Sequence, residues 1–458
     1  MSERARVRSR RTRREGVESR RAALEIVRRV IEDGAYADLL LGEWLPSFLP
    51  ADRRLVTRIV LGTIAWLKRL DYELEKLTGR ALGGIQPAAL AILRTALYQL
   101  RFLERTPAHA VVDTAVTLAK ETGDAKLAAG FINAVLRRAA RETIALPRRE
   151  KNEVQHLAVK WSHPKWMVER FTAWFGIDAA ERLMETDNEA APNVNRLNLT
   201  RGTRAEVLGR LESEGFKIAP GGRSAETAVL ASAPMMDSRA FAAGLFQPQS
   251  EVSQIVARML APTADALVAD CAAAPGGKTT HLAEIAGGSA QIVALDRNTH
   301  GLVNTRAVAR RLGHHNIAIV RADMTAGVPL KPASFSHVLL DAPCTGLGTM
   351  REHPEIRWRL QPGDPARMAK LQLELLVSAA ALARPGGALE YSVCSLAPEE
   401  GAGVVEAFLG AHRHFRVDRH PPNYEEIRDL LDERGALKTR PDQGGLDGFF
   451  AIRMIRDA

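Results

Sequence analysis

At 458 residues the chain exceeds what one ordinary core fills, so two to four domains are expected. With 46% hydrophobic and 26% charged residues the composition is that of a soluble globular protein, which excludes a disordered or fibrous chain. The formal net charge is +9, yet residues 1–21 hold nine Arg and three Glu, which is +6 and leaves +3 for everything after them.

No apolar run approaches the roughly 20 residues that span a bilayer, and no apolar stretch of signal type follows the basic N-terminus. The expectation is a cytoplasmic protein without a membrane partner. Cys271, Cys344 and Cys394 are the three cysteines. They are too few for a disulfide scaffold, and without close Cys or His pairs no metal is expected.

Residues 1–18 lack apolar positions at helical spacing and read as a disordered basic arm, either a solubilising tail or an electrostatic anchor for phosphates. Residues 19–145 read almost wholly as helix. In SRRAALEIVRRVIEDG the positions Ala23, Ile26, Val27, Val30 and Ile31 share one face, and Gly34 closes the run. Three more amphipathic runs, DRRLVTRIVLGTIAWLKRL, PAALAILRTALYQLRFL and KLAAGFINAVLRRAARE, joined by short turns, predict a helical bundle. Arg137 and Arg138 are candidate RNA contacts there or, equally, part of a solvated face. LPRREKNE reads as a linker. Residues 155–245 read as a small α+β module, with Trp161, Trp166 and Trp174 at helical spacing as core, and a strand, a helix and a strand in VNRLNLTRGTRAEVLGRLESEGFKIAP.

From residue 246 the pattern changes. ALVADC, QIVALD, NIAIVRAD, SHVLLDAPC and ALEYSVCS are short apolar strands alternating with helices, which predicts a doubly wound, mostly parallel sheet. The first strand runs into CAAAPGGKTTH, a glycine-bearing turn that opens a helix at the sheet edge where ligands bind. GGKTT is not a phosphate-binding loop, because the glycine required five places before Gly277 is Ala272. The dinucleotide pattern G-x-G-x-x-G is absent too. What remains suits a nucleoside without a pyrophosphate. Asp270, Asp296, Asp323 and Asp341 end successive strands, with Asp296 set for ribose hydroxyls, Asp323 for an adenine amino group and Asp341 for the reacting centre. Gly276, Gly277 and Lys278 would line the loop.

Cys344 and Cys394 each follow a strand into a polar turn, DAPCTG and SVCSLAPEE. A lone cysteine is usually a small buried hydrophobe, but two at one sheet edge suit covalent catalysis. Carbon 5 of cytosine is a poor nucleophile until a thiolate adds to carbon 6. The carbon 5 proton and the thiol must then leave, so a second proton-handling group is useful. Asp341 is expected to supply a proton near N3.

DCAAAPGGKTTH, LLDAPCTGLGTMREHPEIRW and YSVCSLAPEE resemble, in order and spacing, the motifs of RNA cytosine-5 methyltransferases, and QGGLDGFFAIRM resembles that family's last strands. FINAVLRR and SHPKWMVERF are similar to the N-terminal region of its RsmB (Sun, Fmu) branch, in which a NusB-like helical RNA-binding domain precedes a Rossmann-like catalytic part acting on 16S rRNA. The resemblance runs from about residue 19 to the end. It implies that Ala272, Ala273, Ala274, Pro275, Gly276, Gly277, Lys278, Asp296, Asp323 and Asp341 bind S-adenosylmethionine. It also implies that Cys394 is the nucleophile, that Cys344 assists product release, and that the partner is small-subunit rRNA, with Arg351 as a further candidate contact. Three positions depart from the family pattern: the first-motif cysteine is one place early at Cys271, Val393 replaces the usual Thr, and Gly401 replaces a common Asn. The competing readings are a non-catalytic RNA-binding assembly factor and a tRNA or DNA cytosine methyltransferase.

Overall fold

In the computed structural model, which describes residues 3–219, 221–232 and 237–458, the chain divides into two contact units. The first runs to Ala190 and includes Met350–Leu360; the second comprises Ala191–Thr349 and Gln361–Ala458. No helix among the described residues is long and apolar enough to cross a membrane.

The first unit is helical: α1 (Glu3–Glu32), α2 (Ala37–Trp44), α3 (Pro50–Ala65), α4 (Leu67–Thr78), α5 (Pro87–Phe102), α6 (Ala108–Glu121), α7 (Ala129–Ala139), α8 (Glu153–Lys160), α9 (Lys165–Phe175) and α10 (Ile177–Thr186). The helix α5 buries Ala88, Ile92, Leu93, Ala96 and Leu97 on several faces, as a central helix must. Gly62 of α3 lies so close to it that a Cβ there would sit 2.0 Å from the Tyr98 ring. Around α5 pack Ile26, Val60, Leu74, Val111 and Leu136, each fully or nearly fully buried. Each such side chain contributes on the order of 1.5–3 kcal/mol of burial.

The basic segment lies within α1 from Glu3 onward; Arg and Glu are good helix formers and no proline interrupts them. Met1 and Ser2 lie outside the described residues. The helices α8–α10, expected in the α+β module from residue 155, fall by their contacts in the first unit. Their packing includes Ser162 Oγ, which accepts from Lys68 N at 3.0 Å. The segment Met350–Leu360 also joins this unit. Its short helix α16 (Ile356–Arg359) buries Arg357, which donates to the carbonyls of Ala65 (3.1 Å) and Asp187 (2.6 Å), while Trp358 Nε1 donates to Ile64 O at 2.7 Å.

The second unit carries two sheets. The strands β1 (Val194–Leu197), β2 (Lys217–Ala219), β3 (Thr227–Ser232) and β4 (Phe246–Pro248) form an antiparallel sheet in the order β2-β3-β1-β4. Helices α11 (Arg204–Ser213) and α12 (Arg239–Ala242) belong to this module. A capping box closes the start of α11, Thr203 and Glu206 each bonding the other's backbone. Two of these four strands, β3 and β4, were not read from the sequence.

The larger sheet contains β5 (Leu267–Asp270), β6 (Gln291–Asp296), β7 (Ile317–Arg321), β8 (Phe335–Asp341), β9 (Ala383–Val393), β10 (Phe415–Val417), β11 (Leu437–Thr439) and β12 (Phe449–Arg456). Its parallel part runs β7-β6-β5-β8-β9, extended by antiparallel β12 and β10, with β11 paired to β12. Side chains alternate between two cores. Val338 and Leu340 join the core with α17 (Asp364–Ala380) and α18 (Ala402–Ala411), whereas Leu339 joins that of α13 (Glu251–Leu260) and α14 (Gly277–Ile285). Helix α15 (Thr299–Leu312) links β6 to β7, and α19 (Tyr424–Ile427) lies between β10 and β11. Strands are added on one side of β5 up to β7 and on its other side from β8, so the strand order reverses between β5 and β8, the place where open α/β sheets bind ligands.

Candidate active site

After β5 the chain keeps bonding to both neighbouring strands: Cys271 N donates to Leu339 O (2.8 Å) and Ala273 N to Leu295 O (2.9 Å). The chain then turns at Gly276, whose φ of +101° favours glycine and whose Cβ would lie 2.9 Å from the Thr305 backbone. Asp270 is not a ligand group. Its buried carboxylate accepts from Thr279 Oγ1 at 2.7 Å, tying β5 to α14, and burial lifts its pKa to about 7.

A cavity of about 320 Å³ opens beside this turn. Ala272, Ala274, Asp296, Asp323 and Asp341 line it, and so do Cys344 and Cys394. Ala273, Pro275, Gly276, Gly277 and Lys278 shape the loop without lining the cavity: Ala273 is buried, and Gly277 begins α14. Asp296 accepts from Ala274 N (3.0 Å) and Asn298 N (2.7 Å), so it braces the loop while facing the cavity. Asp323 accepts from Thr325 N and Oγ1 (3.0 and 2.7 Å), which hold its pKa below the usual carboxylate value. Three carboxylates around an apolar floor suit hydroxyls, an amino group and a sulfonium rather than phosphates.

Cys344 and Cys394 meet at this cavity with their sulfurs 3.2 Å apart, as free thiols. The hydrogen bond to Cys394, burial and the nearby Glu400 charge raise the Cys344 pKa well above that of an ordinary thiol. Lys278 Nζ sits 2.6 Å from Asp341 Oδ2, and Asp341 Oδ1 accepts from Ser392 Oγ at 2.7 Å. Burial opposes the Lys278 charge, yet Asp341, with Cys394 and Asp270, more than offsets it and raises the ammonium's pKa. With an ammonium against one oxygen and a hydroxyl donating to the other, both oxygens of Asp341 accept hydrogen bonds, and the pair offers a transferable proton beside the two thiols.

The sequence reading missed this pairing, whose members stand 63 residues apart. It also missed the buried Glu400, whose carboxylate accepts from Thr345 N and from Gln372 Nε2, each at 2.9 Å. The only hint was a second glutamate shortly after the SVCS turn.

In the helical unit, Arg137 and Arg138 are exposed on α7, bonded to Asn133 (3.0 Å) and Glu142 (2.8 Å) respectively. Arg137 lines a small cleft with His109 and Arg141. Arg351 is half-buried and donates to Ala190 O at 3.2 Å. Among the described residues one trio, Asp38, His353 and Glu355, has metal-type ligand atoms within 4.8 Å of one another. Glu355 there accepts from Ala37 N at 3.2 Å, which makes it a cap for α2.

Residues 257–455 match the family described as 16S rRNA methyltransferase RsmB/F, residues 17–141 the NusB family, and residues 163–237 the RsmF/B-like ferredoxin-like domain. The chain is 33% identical to the probable ribosomal RNA small subunit methyltransferase B of Bacillus subtilis, over 94% of this chain and 97% of that protein. It is 33% identical to the ribosomal RNA small subunit methyltransferase B of Vibrio cholerae, covering 93% and 96%. The crystal structure of PH0851 superposes with a TM-score of 0.81 at 26% identity, covering 96% of this chain and 98% of that one.

Proposed function

Since the chain belongs to the RsmB/F family of 16S rRNA methyltransferases, with S-adenosylmethionine as its cofactor, we propose that it methylates carbon 5 of a cytosine in small-subunit rRNA through a covalent cysteine adduct. The observation that carries this reading is the pair of thiols 3.2 Å apart on the cofactor cavity, beside the Lys278–Asp341 ion pair.

Bound S-adenosylmethionine supplies an electrophilic methyl group. Ala272, Ala274, Asp296 and Asp323 would hold it, with Asp296 toward the ribose and Asp323 toward the adenine. The chain's own groups do the rest. The Cys394 sulfur bonds to carbon 6, opening the ring double bond and making carbon 5 nucleophilic. Negative charge develops toward N3, where Asp341, which lines the cavity, would pass on a proton drawn from the Lys278 ammonium behind it. Cys344 starts as a thiol hydrogen-bonded to Cys394. Once the Cys394 sulfur is bonded to carbon 6 it no longer shares the Cys344 proton; Cys344 gives that proton to water and, as a thiolate, takes the proton from carbon 5 after carbon 5 has taken the methyl group. Loss of that proton reforms the double bond and expels Cys394. A base in stacked duplex cannot reach such a cavity, so the target cytosine must be unpaired or flipped.

The helical unit is the proposed source of RNA affinity, with Arg137, Arg138 and Arg351 as contacts. Point changes test this better than deletion of residues 1–150, which would strip Arg357 and Trp358 of Ala65 and Ile64. The function itself is tested by incubating the protein and cofactor with unmodified small-subunit rRNA, followed by bisulfite sequencing. One protected cytosine is expected; uniform conversion with methyl label on another base would refute the cytosine assignment.

A further inference from the structure

The two thiols sit on separate loops, and something must hold those loops in register. Cys344 follows β8 and Cys394 follows β9. Between them lies Glu400, fully buried at the end of the second loop. Its carboxylate accepts from Thr345 N (2.9 Å) and Thr345 Oγ1 on the Cys344 loop, and from Ser395 Oγ on the Cys394 loop. A fourth donor, Gln372 Nε2 at 2.9 Å, comes from α17 and also donates to Pro343 O at 3.0 Å. Tyr391 closes the network by donating to the Glu400 carbonyl at 2.6 Å. No ion pair offsets the Glu400 charge among the described residues.

Burying a carboxylate without a cation is costly, and here four donors offset that cost while tying both loops to one point. A neutral amide or an apolar residue would be the ordinary filling for this site. Each donor belongs either to a residue next to one of the two cysteines or to the glutamine that holds Pro343. We infer that Glu400 is a positioning residue for the reaction, a clamp that sets the attacking thiol of one loop against the releasing thiol of the other. The inference rests on the two-cysteine reading above. The charge has its own part: it faces Cys344 and, with the Cys394 hydrogen bond and burial, keeps that thiol protonated. Cys344 then donates to Cys394 rather than competing with it for attack.

Geometry and charge can be separated. Glu400→Gln keeps an oxygen for Thr345 N and Gln372, and the Thr345 and Ser395 hydroxyls can rotate to accept from the new amide. Glu400→Ala removes the clamp altogether. The thiol separation is read without RNA by treating the protein with diamide, which takes two hydrogens from the thiols, becomes the hydrazine and leaves one Cys344–Cys394 disulfide. Mass spectrometry follows the cross-link, calorimetry the cofactor affinity, and single-turnover assays the methyl transfer to unmodified small-subunit rRNA.

The expected result is an unchanged cofactor affinity in both variants. Glu400→Ala should slow the cross-link about tenfold or more and methyl transfer about a hundredfold. Glu400→Gln should cross-link at the wild-type rate and recover most of the turnover, while Cys344 alkylates at lower pH than in the wild type. Wild-type cross-linking and turnover in Glu400→Ala would overturn the inference. So would loss of cofactor binding in both variants, which would mean that Glu400 merely supports the fold. Equal methyl transfer by wild type and Cys394→Ala would instead defeat the two-cysteine reading itself.

Discussion

Removing the guanidinium of Arg196 should be among the most damaging single changes in the sheet-bearing unit. Arg196 is on β1, with its side chain 0% exposed. Its five N–H donors are all used: Nε and Nη2 reach Glu284 at 2.8 Å each, Nη2 also reaches Thr280 Oγ1 at 3.0 Å, and Nη1 reaches Gly277 O at 2.8 Å and Gln249. Glu284 is 7% exposed, so Arg196→Met would leave a buried carboxylate with only His314, at 3.5 Å, as a charged-type partner. Breaking such a pair from one side costs about 3–5 kcal/mol. With a urea slope of roughly 1–3 kcal/mol per molar, the midpoint should fall by at least about 1 M. Circular dichroism is the assay, with amide exchange on β1 and α14 to localise the change. Tryptophan fluorescence would miss it, because all six tryptophans lie at residues 44–174 or at 358. The double variant Arg196→Met/Glu284→Leu should recover most of the loss, since two apolar chains replace two buried charges. A midpoint shift below about 0.3 M, or a double variant no better than the single, would refute the reasoning.

Three further outcomes follow from the site. Asp270 has a folded pKa of about 7 against roughly 3.9 unfolded, so the stability it contributes is present below about pH 4 and lost as pH rises to about 7. Asp270→Asn should therefore gain on the wild type across that window, and parallel stability–pH curves would contradict this. Asp296→Ala should weaken S-adenosylmethionine binding about 10- to 100-fold in calorimetry, the equivalent of one charge-assisted hydrogen bond of roughly 1.5–3 kcal/mol; unchanged affinity in folded protein would remove Asp296 from the cofactor site. In Gly348→Ala the new Cβ would lie 1.8 Å from Gly448 O, where Gly348 N also donates to Cys394 O at 3.1 Å. Methyl transfer should drop sharply while cofactor affinity holds, and normal turnover would show that the loop tolerates the shift.

The five parallel strands of the large sheet were legible because each is a short apolar run leading into an aspartate or a cysteine turn, whereas β10 and β11, at three residues each, carry no such rhythm. The same rhythm placed Asp296, Asp323, Asp341, Cys344 and Cys394 at one edge, where the cavity lies. Other features had no local signal. The helices α8–α10 are amphipathic whichever neighbours they pack against, so the sequence pattern does not say which neighbours those are. Met350–Leu360 is polar and aperiodic; its place depends on Arg357 finding carbonyls at residues 65 and 187, far away in sequence. The Lys278–Asp341 pair and the Glu400 clamp are contacts between loops that only the folded sheet brings together.

Which thiol attacks is the central claim, and covalent trapping tests it most directly. Cys394→Ala and Cys344→Ala proteins would each be incubated with unmodified small-subunit rRNA and S-adenosylmethionine, then run on denaturing gels. With Cys394 as nucleophile, Cys394→Ala should neither methylate nor form an adduct. Cys344→Ala should attack and methylate but fail to release, accumulating a protein–RNA species that survives denaturation. The reverse pattern, adducts in Cys394→Ala and none in Cys344→Ala, would contradict the account and make Cys344 the nucleophile.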